Sequence, residues 1–219
     1  MLVHIVYCHP SEDSLTAQVR DAFIRGLDAA GVSHTISDLY KQGFSTDMTE
    51  REYLRDAYYN LMPPLADDVI REQALINAAD SLVFIYPLFW TEAPAKLVGW
   101  FDRVWSYGFA YGQDELLELT TRLSPGQAEK LGLNVVPMKR LDRALFIVIA
   151  GNTAETLEEQ GRLTAMRTVM LEDRIYDRAA VKELVLLGGT ERNTPEQRER
   201  MAVLHLQSAY DLGTSFKYG

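Results

Sequence analysis

Five short runs of apolar and β-branched residues punctuate the chain: LVHIVYC at 2 to 8, VSHTISDL at 32 to 39, SLVFIYP at 81 to 87, ALFIVIA at 144 to 150 and KELVLLG at 182 to 188. The first, third and fourth are apolar almost without alternation, which is how strands read when helices bury both faces of a parallel sheet. The second is more polar and suits a sheet edge. Segments of helical period lie between the runs. In SLTAQVRDAFIRGLDAAG, Leu15, Val19, Ala22, Phe23, Gly26 and Leu27 fall on one stripe, Ser14 suits the N-cap and Gly31 the C-terminal stop. In PAKLVGWFDRVW, Leu97, Val98, Phe101, Val104 and Trp105 share a face, and Pro94 takes the first-turn position where a missing N–H costs nothing. Near the end, Thr194, Pro195 and Gln197 form a capping box with proline at its first helical position.

Strands alternating with helices predict right-handed βαβ units and a doubly wound α/β fold, with helices on both faces of a parallel sheet. Residues 1–219 are expected to form a single domain, with surface excursions at about 40–67 and 113–143, where the connections are long and carry polar and Pro/Gly punctuation. Sheets of this kind bind ligands beyond the carboxyl ends of their strands, so function is sought in the loops that leave the first, third and fourth runs.

Composition removes several classes of function. A net charge of −9 without any Lys/Arg run opposes nucleic-acid binding. The single cysteine, Cys8, admits no internal disulfide or multi-cysteine metal site, and the opening MLVHIVYCHP lacks the basic region and long apolar core of a signal peptide; a reduced, cytoplasmic setting is expected. The longest apolar runs are strand-sized, far short of the roughly 20 residues that span a bilayer. The four histidines, His4, His9, His34 and His205, show no metal-ligand spacing, and no G-x-S-x-G elbow is present, so no metal is expected.

Three loops remain. After the first run, HPSEDSLT leads straight into a helix, so backbone N–H groups with the Ser11, Ser14 and Thr16 hydroxyls make a glycine-free phosphate cradle; Ser14 as a plain helix cap is the competing reading, and Glu12 and Asp13 oppose an anion unless they turn away. After the third run, PLFWTEAP presents aromatic faces and strand-end amides suited to a planar heterocycle, although Trp90 could equally be core, as Trp100 and Trp105 in the following helix are expected to be. After the fourth run, Gly151 allows close backbone approach, and Asn152 and Thr153 offer hydrogen bonds to a ring edge.

The strand ending in H-P-S-E-D-S-L-T, the segment ALINAADSLVFIYPLFWTEAPAKLVGWFDRVWSYGFAYG (74 to 112) and the end ALFIVIAGNT together resemble the flavodoxin-like NAD(P)H:quinone oxidoreductases, the group of DT-diaphorase, modulators of drug activity and ancillary flavoproteins of potassium-efflux systems. The resemblance implies a five-stranded parallel sheet of order 2-1-3-4-5 and a homodimer with a flavin, FMN or FAD, at sites on the subunit interface. It implies that His9, Ser14, Leu15 and Thr16 bind the flavin phosphate region. Pro87, Leu88, Phe89 and Trp90 would line the isoalloxazine, and Ala150, Gly151, Asn152 and Thr153 the ring from the fourth-strand loop. Trp90, Thr91 and the partner subunit's Tyr111 would wall a pocket for nicotinamide and then quinone. A Tyr and a His thought to stabilise charge on the reduced flavin in well-known eukaryotic members are replaced here by Leu157 and Leu163, and Gln113 stands where a second closing aromatic would be.

The expected function is two-electron, ping-pong transfer from NAD(P)H through the flavin to a quinone or similar small-molecule acceptor, with the cofactor supplying the chemistry. That division of labour accounts for the absence of a strong acid–base pair from the sequence. A regulatory flavin-binding subunit of a membrane transporter is the alternative. An electron-carrying flavodoxin is disfavoured by FAYG and the poor phosphate loop.

Overall fold

The computed structural model describes every residue except 62, 113, 115–135, 192, 193, 218 and 219. Most of the 113–143 excursion therefore lies outside the described residues. Two compact units emerge. The first comprises Met1–Gly43, Ala78–Pro94 and Arg140–Gly219, the second Phe44–Asn77 and Ala95–Lys139.

The first unit is built on a five-stranded sheet of β1 (Leu2–Tyr7), β2 (Ser33–Asp38), β3 (Ser81–Pro87), β4 (Leu141–Ile149) and β5 (Ala179–Leu187), in the order β2-β1-β3-β4-β5 with every neighbouring pair parallel. The polar second run is an edge, as its composition predicts, and the direction of winding reverses between β1 and β3. Val3, Ile5, Tyr7, Val83, Ile85, Leu145 and Ile147 point to one face. There they pack on Val19, Phe23 and Leu27 of α1 (Leu15–Ala29) and on Ala209 of the last helix, α7 (Pro195–Ser215). The alternate residues Val6, Leu82, Phe84, Tyr86, Phe146 and Val148 are equally inaccessible to solvent, and the Phe84 and Phe146 rings stack 4.6 Å apart. Burial on both faces is the reason these strands read as unbroken apolar runs.

Both helix boundaries marked by capping chemistry hold. The Ser14 hydroxyl accepts from the Ala17 N–H, Gly31 takes φ +67° just past α1, and Thr194 and Gln197 cap α7 reciprocally. The two helices meet at glycines. A Cβ on Gly26 would lie 2.3 Å from the Tyr210 carbonyl oxygen, and one on Gly213 2.3 Å from that of Phe23. His205 pins α7 to the turn after β5 through a 3.0 Å contact with the Gly188 carbonyl. Between β4 and β5 run α5 (Ala154–Glu159), α6 (Arg162–Arg167) and a π-helical segment, Thr168–Ile175.

The second unit contains α2 (Glu50–Ala57), α3 (Asp67–Ala78) and α4 (Ala95–Val104), so the 40–67 interval carries a helix with its own capping box, Thr49 and Glu52. Its buried hub is Arg103, which donates to Glu52 at 2.7 and 3.0 Å, to Asp68 at 2.7 and 3.1 Å and to the Ser45 carbonyl at 2.7 Å. Trp100 is fully buried with its indole N–H donating to Glu72 at 2.8 Å, and Trp105 is half-buried beside it; both pack the helix, as expected.

Candidate functional site

Beyond the carboxyl ends of β1, β3 and β4, the first unit contains two cavities that adjoin along the chain. The first, of about 340 Å³, is lined by His9, Ser14, Leu15, Thr16 and Gln18 from the start of α1, by Ile149 and Thr190, and by Arg198, Met201 and Ala202 from α7. The second, of about 670 Å³, is lined by Leu88, Phe89, Trp90 and Thr91 after β3, by Gly151, Asn152 and Leu157 after β4, and by Arg162 and Glu191. Ile149 and Thr190 border the first cavity and Gly151 and Glu191 the second, so the two cavities are neighbours at the ends of β4 and β5.

At the first cavity the loop turns tightly enough to aim its amides. The His9 ring is held by the Ser11 backbone at 3.0 Å, and Ser14 both caps α1 and donates to the Ser11 carbonyl at 2.9 Å. Among the described residues, the Leu15 and Thr16 amides donate to nothing, which is the ordinary condition of a first helical turn and the basis of its affinity for anions. Glu12, a potential obstacle to an anion, is drawn onto Arg20 by two 3.1 Å hydrogen bonds, and Arg20 also holds Asp21 at 2.8 Å. Arg198 supplies a cation from the opposite side. No local feature of HPSEDSLT announces it; the available signal was its place in the first turn of the capped helix TPEQR.

The second cavity is shaped by a tight turn. Phe89 and Glu92 exchange two 2.9 Å backbone hydrogen bonds, while Trp90 and Thr91 between them take φ +53° and +68°. Positive φ at both central residues defines a type I′ turn, which ordinarily calls for Asn-Gly. The consequence is that the indole of Trp90 stands 100% exposed, against the possibility that it is core. The Trp90, Thr91, Gly151 and Asn152 amides find no acceptor among the described residues. A Cβ on Gly151 would meet the Glu191 side chain at 2.2 Å, but that side chain is exposed and can turn aside. Leu157 and Leu163 are buried at 1% and 4%, and so pack as core. Arg162, beside Leu163, makes no ion pair among the described residues and lines the cavity from the first position of α6, where a cation is unfavourable to the helix dipole.

The sequence-derived residues thus divide. His9, Ser14, Leu15 and Thr16 come together in one cavity, and Leu88, Phe89, Trp90, Thr91, Gly151 and Asn152 in the other. Pro87 ends β3, Ala150 accepts from the Thr190 hydroxyl at 3.0 Å, and Thr153 caps α5; none of these three lines either of the two cavities described. Tyr111 belongs to the second unit, with its ring edge-on to Tyr107 at 5.7 Å; burial and the adjacent Asp56 push its hydroxyl up to about 12. Thr190, Arg198, Met201, Arg162 and Glu191 were not anticipated. Among the described residues, no three His, Cys, Asp or Glu side chains are grouped to hold a metal, and no helix is long and apolar enough to cross a membrane.

Comparison with known proteins agrees with this geometry. A family profile described as flavodoxin-like fold matches residues 1–174. An NAD(P)H:quinone oxidoreductase from Methanothermobacter marburgensis is 33% identical, covering 100% of this chain and 97% of that one with a TM-score of 0.83. The uncharacterized NAD(P)H oxidoreductase YcaK of Escherichia coli (strain K12) is 33% identical over 115 residues, 52% of this chain and 58% of that protein. The ribosyldihydronicotinamide dehydrogenase-like protein traD of Penicillium crustosum is 32% identical over 127 residues, 52% and 48% of the two chains. The matched regions thus span about half the length of these two curated relatives.

Proposed function

Because the chain belongs to the flavodoxin-like NAD(P)H:quinone oxidoreductase family, we propose that it is a flavin-dependent reductase taking two electrons from NAD(P)H and passing them to a quinone-like acceptor. The observation that carries this reading is a pair of neighbouring cavities, one suited to a phosphate and one to a ring, lined by amides that have no other partner among the described residues. Those residues fit a flavin, FMN or FAD. The Leu15 and Thr16 amides, the Ser14 cap and the Arg198 guanidinium suit a phosphate. The Trp90, Thr91, Gly151 and Asn152 amides suit the polar edge of a planar ring, and Phe89 and Trp90 offer it aromatic surface.

Bound there, the flavin would supply the two-electron redox chemistry itself. The chain's part is to bind, orient and set the charge. Arg162 sets a positive charge against the Glu191 carboxylate in the same cavity, and with the free amides it favours the negative charge a flavin gains on reduction, provided Glu191 turns to solvent when the ring is bound. NAD(P)H and the acceptor would occupy in turn, in ping-pong fashion, the slot walled by Trp90, Thr91 and the partner subunit's Tyr111. A homodimer accounts for the fully exposed indole, since an aromatic at the mouth of a slot is normally covered when the site is complete.

Purified protein titrated with FMN and with FAD is expected to bind one or both, to turn yellow and to bleach on adding NADH or NADPH, with colour restored by a quinone. Light scattering is expected to give twice the chain mass. Failure to bind either flavin would remove the proposal.

A further inference from the structure

The turn that lines the second cavity is held in a backbone conformation its own residues disfavour. Thr91 is β-branched at φ +68° and Trp90 bulky at φ +53°, and neither is the Asn or Gly that tolerates this region. The two backbone hydrogen bonds that close this two-residue connection favour a primed turn, but they leave the type II′ alternative open and do not remove the cost of positive φ at a β-branched residue. Strained turns of this sort persist when their surroundings over-determine them.

The contact that reaches the end of the turn from elsewhere in the chain is made by the Glu92 carboxylate. Its Oε1 accepts from the neighbouring Ala93 N–H at 2.7 Å and from Arg174 Nη1 at 3.2 Å. The first bond fixes the carboxylate to the chain leaving the turn. The second ties it across 82 positions of sequence to the connection between β4 and β5. Arg174 stands in the π-helical segment, where wider turns send side chains in directions an α-helix would not, a feature often found at functional sites. Its Nη1 also lies 3.3 Å from the sulfur of Met170, itself buried, so the same nitrogen that meets Glu92 has a second contact within the π-helical segment. Beneath the pair, the fully buried Tyr86 hydroxyl finds no partner among the described residues, so this hydroxyl does not anchor the turn from below.

Energetically the pair is modest. The arginine side chain is 14% exposed but the carboxylate 44%, and ion pairs open to water on one side add little to global stability. Its value is geometric. We infer that Glu92 and Arg174 are positioning residues that hold the strained Phe89–Glu92 turn, and with it Trp90 and Thr91, in the shape that receives the flavin ring and the stacked substrate. This rests on reading the cavity as the flavin slot, but the conformational part is testable without any flavin.

Hydrogen–deuterium exchange of residues 87–95 in flavin-free protein is the primary measurement, made on the wild type, Glu92→Gln, Arg174→Gln and Arg174→Lys. Glu92→Gln keeps an acceptor for the Ala93 N–H and removes the charge. The Phe89 and Glu92 amides should exchange about two- to fivefold faster in both Gln variants, the range expected for losing a partly exposed ion pair. Arg174→Lys, which restores the charge, should recover most of the protection. In the same variants flavin affinity should fall by a similar factor, and the KM for the acceptor should rise more than kcat falls. If Arg174→Gln loosens the whole first unit, Glu92→Gln carries the test. Unchanged exchange in Glu92→Gln would overturn the inference. Exchange that responds as described in a protein that binds neither FMN nor FAD would leave the clamp standing and overturn the flavin reading instead.

Discussion

Replacing Thr91 by glycine separates strain from function at the centre of the site. An L-residue in the left-handed region costs about 1–2 kcal/mol, with a β-branched residue at the upper end. Thr91 bears this cost at φ +68° and is only half-buried, so little apolar surface is lost on truncation. Against the relief stands the greater backbone entropy that glycine surrenders on folding, about 0.5–1 kcal/mol. Flavin-free Thr91→Gly is therefore expected to be more stable than the wild type by about 0.5–1 kcal/mol, raising the urea midpoint by about 0.3 M with the slope unchanged. Thr91→Ala, which keeps a Cβ, should be near neutral. Flavin affinity should move the other way, because a glycine turn explores conformations in which the Trp90 and Thr91 amides no longer converge. Glu92→Gln should also accelerate exchange less in the glycine background, where less strain is left to restrain. A stabilised variant that binds flavin more tightly would refute the idea that the strained shape serves binding. A destabilised variant with the turn intact would refute the strain itself.

Three further outcomes concern contacts elsewhere in the two units. Arg198→Gln should weaken flavin binding by about tenfold or more and flatten its salt dependence in calorimetric titrations, a charged hydrogen bond being worth about 1.5–3 kcal/mol, while the melting of the flavin-free chain is unchanged because Arg198 is exposed. Gly213→Ala would set a Cβ 2.3 Å from the Phe23 carbonyl and 2.8 Å from the Gly26 Cα; the displacement of α7 should cost about 1–3 kcal/mol, a fall of roughly 2–12 °C in melting temperature, and should weaken flavin binding too, since α7 carries Arg198. Arg103→Met should cost about 3–5 kcal/mol in denaturant titrations, by leaving Glu52 and Asp68 without their partner. Burial pushes both of those carboxyls up, but hydrogen bonds and charge from Arg103 outweigh it and hold them below the ordinary carboxylate range. Their contribution is thus present above the unfolded carboxylate pKa, about 4, and is lost as pH falls through the lower folded values; the wild type should lose stability across that window and Arg103→Met much less of it.

The strands were legible because burial on both faces removes alternation, and where that burial ends the reading ends too. β4 begins at Leu141, three residues before the apolar run, since its ladder continues through Asp142 and Arg143, whose side chains are not core; β5 begins at Ala179 because Leu141 pairs with it. Two helix starts were legible from their caps, Ser14 and Thr194, because capping is a local exchange between a hydroxyl and an amide two or three residues on; the equally capped starts at Thr49 and Thr153 were not read, since no clear apolar stripe follows them. The π-helical segment has no such local mark, and nothing in TVMLEDRI distinguishes its wider turns from an α-helix.

The same division runs through the site. Amides are placed by the ends of strands and helices, so the runs that reveal β1, β3 and β4 also reveal most of the residues around the two cavities. Charges are placed by elements that return from elsewhere in the chain: Arg198 from α7, Arg162 from α6 and Arg174 from the π segment. Each arginine is ordinary in its own stretch of sequence and acquires meaning only opposite a loop far away along the chain. The Phe89–Glu92 turn joins the two kinds of information. Its dipeptide, Trp-Thr, gives no sign of a type I′ conformation, because the local preference is against it, and the contact that opposes that preference comes from Arg174. A site whose backbone is written locally and whose charges are written at a distance can keep its fold while its charges change. On these grounds, substitutions at Arg162, Arg174 and Arg198 should alter flavin affinity and potential far more than they alter folding.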